Sequence, residues 1–213
     1  METELKMEFA SAEDMDRLWE DPGFSSFKIP ESDKEEDYET IYLDTEDLLL
    51  RKYGASLRVR SVNGDTYIHT IKRKIDEKDG LHQRYEWNCE SSEDVFSVED
   101  FAEHAISNGD PDSILEEILH LLSGQDLREL FRTVFVRKSF LAGFGDSLIE
   151  VALDFGSLRV DDREAPICEM ELELKEGDVR DVIDFGEEIL SHTEAKLDPR
   201  SKYSKGISLL SQV

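Results

Sequence analysis

Residues 2–9, Glu-Thr-Glu-Leu-Lys-Met-Glu-Phe, alternate between charged and apolar side chains more strictly than any other stretch near the start of the chain. Positions 2, 4, 6 and 8 are charged, and positions 5, 7 and 9 are apolar. Because successive side chains of a strand point to opposite faces, this pattern predicts a β-strand with one apolar face and one charged face. The charged face carries two carboxylates followed by a cation, which suits a site that holds a metal ion and an anion together.

The same charged face recurs in later strand-like segments. In residues 56–62, Leu57 and Val59 share one face and the arginines at 58 and 60 share the other, and Asn63-Gly64 then indicates a hairpin turn. A common charged face predicts an α+β fold, in which the strands close into a β-barrel with a charged lumen and helices cover its apolar outside. Beyond the first strand, the predicted lumen set is Arg58, Arg60, Lys72, Lys74, Arg84, Glu86, Arg137, Glu150, Asp154, Glu169, Glu171 and Glu173.

Helical periodicity and capping residues predict the flanking helices. They cover about residues 11–22, 48–50, 94–102, 112–122, 179–191 and 201–210. Residues 31–39 are rich in Glu and Asp and are predicted to form an exposed loop, and Leu127, Leu130 and Phe131 indicate a further short turn. Nothing in the sequence marks a linker, so residues 1–213 are expected to form a single domain.

The lumen residues combine the ligands for two kinds of charge. Arginine contacts phosphate oxygens through a two-pronged fork and lysine as a point charge, so the cations suit a polyphosphate. The carboxylates would repel that ligand unless they held a divalent cation, and several oxygen ligands favour Mg²⁺ or Mn²⁺. The competing interpretation is that these are solvated strand faces with cross-strand ion pairs. Because five or six strands share the pattern, a common charged lumen is the favoured interpretation.

Several motifs in this order resemble the CYTH, or triphosphate tunnel metalloenzyme, superfamily. The resemblance implies an eight-stranded antiparallel β-barrel, the tunnel, that binds triphosphate-containing substrates with a divalent metal ion. Its signature is Glu2-x-Glu4-x-Lys6, and the further segments that carry the resemblance are residues 42–45, 50–60, 70–72, 149–154, 168–175 and 201–206.

The resemblance also implies roles for individual residues. The expected metal ligands are Glu2, Glu4, Asp154, Glu169 and Glu171. The expected phosphate ligands are Lys6, Arg58, Arg60, Lys72, Arg84, Arg137 and Lys202, with Lys6 and Glu4 taken as catalytic and Glu86 as a further tunnel residue. Glu150 and Glu173 either serve a second metal ion or pair with lysines. The sequence departs from the family pattern in two places. Many members have arginine where Lys205 stands. Residues 133–140 are less basic than in many members, and the inward cation there is either Arg137 or Lys138.

The leading functional hypothesis is divalent-metal-dependent hydrolysis of a short triphosphate, most simply inorganic triphosphate, by in-line attack of water. Within the same family the alternatives are a class IV adenylate cyclase and a thiamine triphosphatase, for which Trp19 or Trp87 could stack on the organic group. A non-catalytic polyphosphate-binding module and an acidic metal buffer remain as binding functions. The five histidines are scattered and are expected to be surface or core residues.

Charge and composition limit the partners. The net charge of −26 argues against non-specific binding to nucleic acid or to an anionic membrane. No signal peptide precedes the first strand and no apolar run approaches the length of a membrane helix, so a cytoplasmic location is expected. Cys89 and Cys168 are then expected to be reduced and to serve in packing. The oligomeric state, monomer or homodimer, stays open.

Overall fold

Eight antiparallel strands form a closed barrel in the computed structural model, which describes residues 1–78, 80–107 and 109–211. In chain order the strands are β1 (Glu2–Glu8), β2 (Lys34–Thr45), β3 (Ala55–Val62), β4 (Thr66–Lys78), β5 (Leu81–Ser91), the short β6 (Ile106–Ser107), β7 (Leu127–Phe144), β8 (Ser147–Val160), β9 (Arg163–Glu176) and the short β10 (Lys196–Leu197). The order around the barrel is β1-β9-β8-β7-β2-β3-β4-β5, and pairing of β5 with β1 closes it. The predicted eight-stranded barrel is therefore confirmed.

The first strand has the two faces that its alternation predicts. Leu5 and Met7 are buried in the outer core, whereas the side chains of Glu4 and Lys6 are buried on the side that faces the lumen. Along this strand, residues 2–5 pair with β5 and residues 4–8 pair with β9. β1 thus joins strands from opposite ends of the chain, and its charged face becomes part of the wall of the tunnel.

Helices cover the apolar outside of the barrel in two groups. α6 (Val179–His192) packs over β1 and β9 through Val182, Phe185 and Ile189, and α1 (Ala12–Trp19) and α2 (Pro22–Ser25) extend the same core. α3 (Leu49–Tyr53), α4 (Val98–His104) and α5 (Asp112–Leu122) cover β3, β4 and β5, where they bury Trp87 and Cys89. Apolar side chains that point out of the barrel therefore enter helix-covered cores, and this leaves the lumen to the charged residues.

The last helix, α7 (Lys202–Leu210), packs against the side chains that lie inside one end of the barrel. Its Ile207 joins a third core with Tyr42, Phe131, Phe135 and Leu158. Gly206 allows this close approach, because a Cβ atom there would lie 2.3 Å from two ring atoms of Phe131. The first turn of α7 faces the charged part of the lumen, so the packing of Gly206 also places Lys202.

Two local predictions were wrong. Residues 34–39 are not a loop but the start of β2, because the backbone of β7, about one hundred residues away, pairs with them despite their acidic composition. Residues 127–131 are not a separate turn but the start of β7. A register shift between Tyr42 and Leu43 leaves Leu130 and Phe131 both buried, which breaks the alternation that marks a strand.

The remaining elements lie within a few residues of their predicted positions. α6 and α7 match closely, α1 ends at Trp19, and the separate short helix α2 follows it. The predicted 94–102 helix is α4, which begins later, at Val98. In the described part of the chain, no helix is both long enough and apolar enough to span a membrane.

The contact between Gly206 and Phe131 gives a test of how α7 is seated. We expect Gly206→Ala to lower the free energy of unfolding by about 1–2 kcal/mol, because overpacking costs more than the roughly 1 kcal/mol that alanine gains over glycine in a helix. Urea unfolding measures this difference. Ser208→Ala, on the exposed face of α7, is the control and should change stability little. Adding Phe131→Leu to Gly206→Ala should recover part of the loss, and equal stability of Gly206→Ala and the wild type would contradict the packing.

Candidate active site in the tunnel

The lumen holds a cavity of about 590 Å³ whose lining is dominated by charged side chains. The lining comes from all eight barrel strands and from the first turn of α7. The predicted site residues that line it are Glu2, Glu4, Lys6, Arg58, Arg60, Lys72, Arg84, Arg137, Glu171 and Lys202. Asp154 and Glu169 are fully buried and contact these residues from the wall.

Three of the predicted metal ligands form one carboxylate cluster. Oxygen atoms of Asp154, Glu169 and Glu171, on β8 and β9, all lie within 4.8 Å of one another. Two ammonium groups lie between them. Lys6 Nζ is 2.8 Å from Glu169 and 2.9 Å from Glu171, and Lys202 Nζ is within 2.9 Å of all three carboxylates.

Arg137 completes this cluster from β7. Its guanidinium donates two hydrogen bonds of 2.6 Å to Asp154 and a third to Glu171. Lys138 instead points outward, where it pairs with Asp16 at 3.1 Å on the surface. The structure therefore identifies Arg137 as the inward cation of this segment, a choice that the sequence leaves open.

The charges in this cluster shift one another's pKa strongly. Burial would lower the pKa of Lys6, but Glu169 and Glu171 outweigh burial and raise it well above its ordinary value. Burial likewise would raise the pKa of Glu169, yet Lys202, Lys6 and Lys205 hold it far below its ordinary value. Lys6 and Glu169 are therefore charged at neutral pH, and each depends on its partners for compensation.

The other two predicted metal ligands, Glu2 and Glu4, lie on β1 with a different set of cations. Lys72 Nζ is 2.6 Å from Glu2 and 2.5 Å from Glu86, and Arg84 Nη1 is 2.6 Å from Glu4. Burial and the charge of Glu171 act to raise the pKa of Glu4, but Arg84, Lys72 and Lys6 outweigh them and lower it. Because β1 pairs with β9 and β9 with β8, the five carboxylates lie on three neighbouring strands of one wall.

Glu2 is the least compensated of these carboxylates. Among the described residues its buried Oε2 atom has no hydrogen-bond partner, and the nearest ion-pair contact of that atom is Arg84 at 3.8 Å. Burial raises the pKa of Glu2, and the neighbouring Glu4 and Glu86 add to the increase against the charge of Lys72. A cation near Glu2 would remove this cost, so the oxygen donors here fit a hard divalent metal ion.

Arg58 and Arg60 differ from the other tunnel cations, because neither forms an ion pair with any described residue. Arg60 is buried; its Nε donates to Thr40 Oγ1 at 3.1 Å, and its guanidinium lies 4.3 Å from the ring centre of Tyr38. Burial, Arg58 and Arg137 lower the pKa of Arg60 to about 10. Arg58 Nε is buried without a hydrogen-bond partner among the described residues. Burial would lower the pKa of Arg58, but Tyr42, Glu86 and Glu2 raise it above its ordinary value, so carboxylate charge reaches Arg58 without a direct ion pair. Of the two arginines, Arg60 is therefore the less compensated.

The residues with open roles lie toward the ends of the tunnel. Lys175 pairs with both Glu150 and Glu173, at 3.1 and 2.9 Å, so these two carboxylates already share a lysine in the structure. Lys205 reaches Glu169 at 2.6 Å and also contacts Asp198. The single side-chain nitrogen of Lys205 is thus shared between Glu169 on β9 and Asp198 in the loop before α7. Lysine carries the same positive charge as an arginine here but lacks its fork of donors.

His82 is a buried residue next to the site that the sequence analysis missed. It is 1% exposed, pairs with Glu4 across β1 and β5, and has its Nδ1 atom 2.7 Å from Arg84 Nη2. Burial and the charge of Arg84 lower its pKa, so the ring is neutral at pH 7. His82, Arg84 and Glu86 lie at alternate positions of one strand and therefore share a face, and this spacing is the signal that could have placed His82 beside the site. His69 is also buried, on the helix-covered face, which agrees with a core role.

Comparisons with known proteins place the chain in a family. The family model of the CYTH domain matches residues 1–207, and the chain belongs to the CYTH domain family. It is 30% identical over 168 residues to an inorganic triphosphatase of Haemophilus influenzae (strain ATCC 51907 / DSM 11121 / KW20 / Rd). That match covers 79% of this chain but 44% of the relative, so the chain spans less than half of the length of this relative.

Solved structures share the fold along nearly the whole chain. HpAC1 from Hippeastrum, described as a proposed adenylyl cyclase with a dominant triphosphatase activity, superposes with a TM-score of 0.67 at 17% identity and covers 98% of this chain and 96% of its own. The PH1819 protein from Pyrococcus horikoshii OT3 has a TM-score of 0.56 at 20% identity, over 98% and 99% of the two chains. At these identities the likeness shows a common barrel.

The unpaired arginines give a test in the ligand-free protein. We expect Arg60→Met to raise the free energy of unfolding at low salt by about 1 kcal/mol, because methionine fills the space without the repulsion from Arg58 and Arg137. Lys138→Met, which removes an exposed cation, is the matched control and should change stability by less than about 0.5 kcal/mol. Thermal and urea unfolding measure both variants. A clear loss of stability in Arg60→Met would mean that this cation is compensated within the protein.

Proposed function

We propose that this protein hydrolyses a short inorganic polyphosphate, with triphosphate as its substrate and Mg²⁺ or Mn²⁺ as its cofactor. The observation that carries the proposal is the division of charge in one cavity, where Arg58 and Arg60 have no carboxylate within ion-pair distance among the described residues while five carboxylates gather on β1, β8 and β9. Cations alone would suffice to bind an anion. The carboxylates compensate the cations in the ligand-free protein, but beside a bound polyanion they are favourable only when a metal ion is also bound.

The proposed phosphate ligands are Lys6, Arg58, Arg60, Lys72, Arg84, Arg137 and Lys202. Arg58 and Arg60 lie two residues apart on one face of β3, so their guanidinium groups can hold adjacent phosphate groups of one chain. In the ligand-free state the other cations contact carboxylates. Binding of a polyanion would therefore start from the two arginines that form no ion pair with a described carboxylate.

The residues proposed to hold the metal ion are Glu2, Glu4, Asp154, Glu169 and Glu171. The bound ion would offset charge on the phosphoryl oxygens and lower the pKa of a coordinated water. Lys6 and Lys202 now neutralise the β8–β9 cluster through contacts of 2.5–2.9 Å. If the negative charge of these carboxylates were compensated by a metal ion, the ammonium groups of Lys6 and Lys202 would be free to contact phosphate. Lys6 and Glu4 are accordingly the proposed catalytic pair, one for phosphate and one for metal.

The relatives support a hydrolase. The curated protein at 30% identity is an inorganic triphosphatase, and triphosphatase activity is the dominant one described for the structural neighbour HpAC1. Adenylate cyclase stays the alternative within the family. The third possibility, thiamine triphosphatase, loses its suggested stacking residues: Trp87 is 1% exposed in the core under α4 and α5, and Trp19 packs on Phe140 outside the barrel.

A substrate panel separates these activities. Inorganic triphosphate, pyrophosphate, ATP and thiamine triphosphate are each incubated with Mg²⁺ and with Mn²⁺, and released phosphate and cyclic AMP are measured. We expect phosphate release from triphosphate to exceed release from the other three, with no activity after metal chelation. Cyclic AMP from ATP would identify a cyclase. Tight triphosphate binding without phosphate release would identify a binding module. A metal affinity that triphosphate does not change would identify a metal buffer.

A single carboxylate tests the metal assignment. We expect Glu4→Gln to lower kcat for triphosphate at least about 100-fold, because an amide of the same shape is a poor ligand for a hard cation. Glu8→Gln is the matched control on the same strand: Glu8 lies at the exposed end of β1, where it pairs with Lys205 and Arg200, and its variant should keep most activity. Circular dichroism checks that both variants fold. Wild-type turnover in Glu4→Gln would show that Glu4 holds no metal ion.

A further inference from the structure

We propose that His82 is a positioning residue that keeps Arg84 on one oxygen of Glu4 and so leaves the other oxygen free for the metal ion. Arg84 donates from Nη1 to Glu4 Oε1 at 2.6 Å and from Nη2 to His82 Nδ1 at 2.7 Å. Guanidinium nitrogens only donate, so Nδ1 accepts and the ring carries its proton on Nε2. The inference rests on the proposed function through the assignment of Glu4 as a metal ligand.

The alternative geometry of Arg84 explains what His82 prevents. An arginine beside a carboxylate tends to form two parallel hydrogen bonds, one to each oxygen. Here the second nitrogen is held by His82 and the arginine contacts Glu4 through a single nitrogen. Without this acceptor, the guanidinium could rotate so that its second nitrogen reaches Glu4, or so that Nη1 closes its 3.8 Å gap to Glu2 Oε2, and either contact would occupy an oxygen that the metal ion requires.

Packing alone does not account for a histidine at this position. His82 is 1% exposed, and its Nε2 atom is buried without a hydrogen-bond partner in the described part of the chain. A buried polar atom left unpaired lowers stability, whereas an apolar side chain of similar size carries no such cost. The Nδ1 atom also lies 3.4 Å from Glu77 Oε2, but its contact with Arg84 at 2.7 Å is the shorter one. The contact with Arg84 is therefore the main feature that distinguishes histidine from leucine at this point of β5.

Binding of Mn²⁺ alone, followed by electron paramagnetic resonance of the free ion, tests the proposal without turnover. We expect His82→Leu to weaken Mn²⁺ binding about ten- to a hundredfold, which is the usual effect of removing a residue that orients a metal ligand. Its melting temperature should equal or exceed that of the wild type. A merely structural histidine predicts the opposite pair of results, namely lower stability with unchanged Mn²⁺ affinity, and that outcome would overturn the proposal.

Two amide variants give a matched comparison that does not depend on the leucine variant folding. The Oδ1 atom of asparagine lies as many bonds from the backbone as Nδ1 of histidine, and Oε1 of glutamine corresponds to Nε2. We therefore expect His82→Asn to retain Mn²⁺ affinity within about threefold and His82→Gln to resemble the leucine variant. Equal affinities of the two amide variants would refute the role of Nδ1. Failure of the wild type itself to bind Mn²⁺ would refute the proposed metal site instead.

Discussion

Compensation of buried charge is the constraint on which the rest of this structure depends. The tunnel wall combines seven cations with six carboxylates, counting Glu86 with the proposed site residues, and a lumen with only one sign of charge would be too costly to close. The pairs also join distant parts of the chain: Lys6 from β1 contacts Glu169 from β9, and Lys202 reaches Asp154 from the last helix. The barrel and its charge network therefore form together.

The network is incomplete at the points that suit a ligand. Arg58 and Arg60 have no carboxylate within ion-pair distance, Glu2 Oε2 has no donor, and His82 Nε2 has no hydrogen-bond partner among the described residues. The poorly compensated charge of Arg60 and the unpaired atoms of Glu2 and His82 lower stability, and each lies in or beside the same cavity. A protein selected only for stability would gain from filling them with apolar side chains. Their presence together is the physical reason to regard the lumen as a binding site.

Much of this arrangement could be predicted from alternation along the sequence. Side-chain parity assigned Glu4, Lys6, Arg58 and Arg60 to the lumen correctly, because a strand repeats every two residues wherever it lies in the barrel. Side-chain alternation failed to predict the strand at Leu130 and Phe131, because a register shift there buries two consecutive residues. It also could not predict the acidic start of β2, since the partner that holds this segment in a strand is supplied by β7. Contacts across strands, such as that of Arg84 on β5 with Glu4 on β1, require the register that only the fold provides.

The bulk charge of −26 opposes the approach of a free polyanion, but it does not make the tunnel itself acidic. The tunnel residues are nearly balanced, and the segment 51–84, which supplies β3 and β4, carries nine of the 25 lysines and arginines against four acidic residues. An acidic shell repels a free polyphosphate over about a Debye length, roughly 8 Å at physiological salt, but repels its complex with a divalent cation less. The same shell attracts such cations. The outer charge thus favours a substrate that arrives already bound to metal, and this is the form that a lumen with both carboxylates and arginines can accommodate.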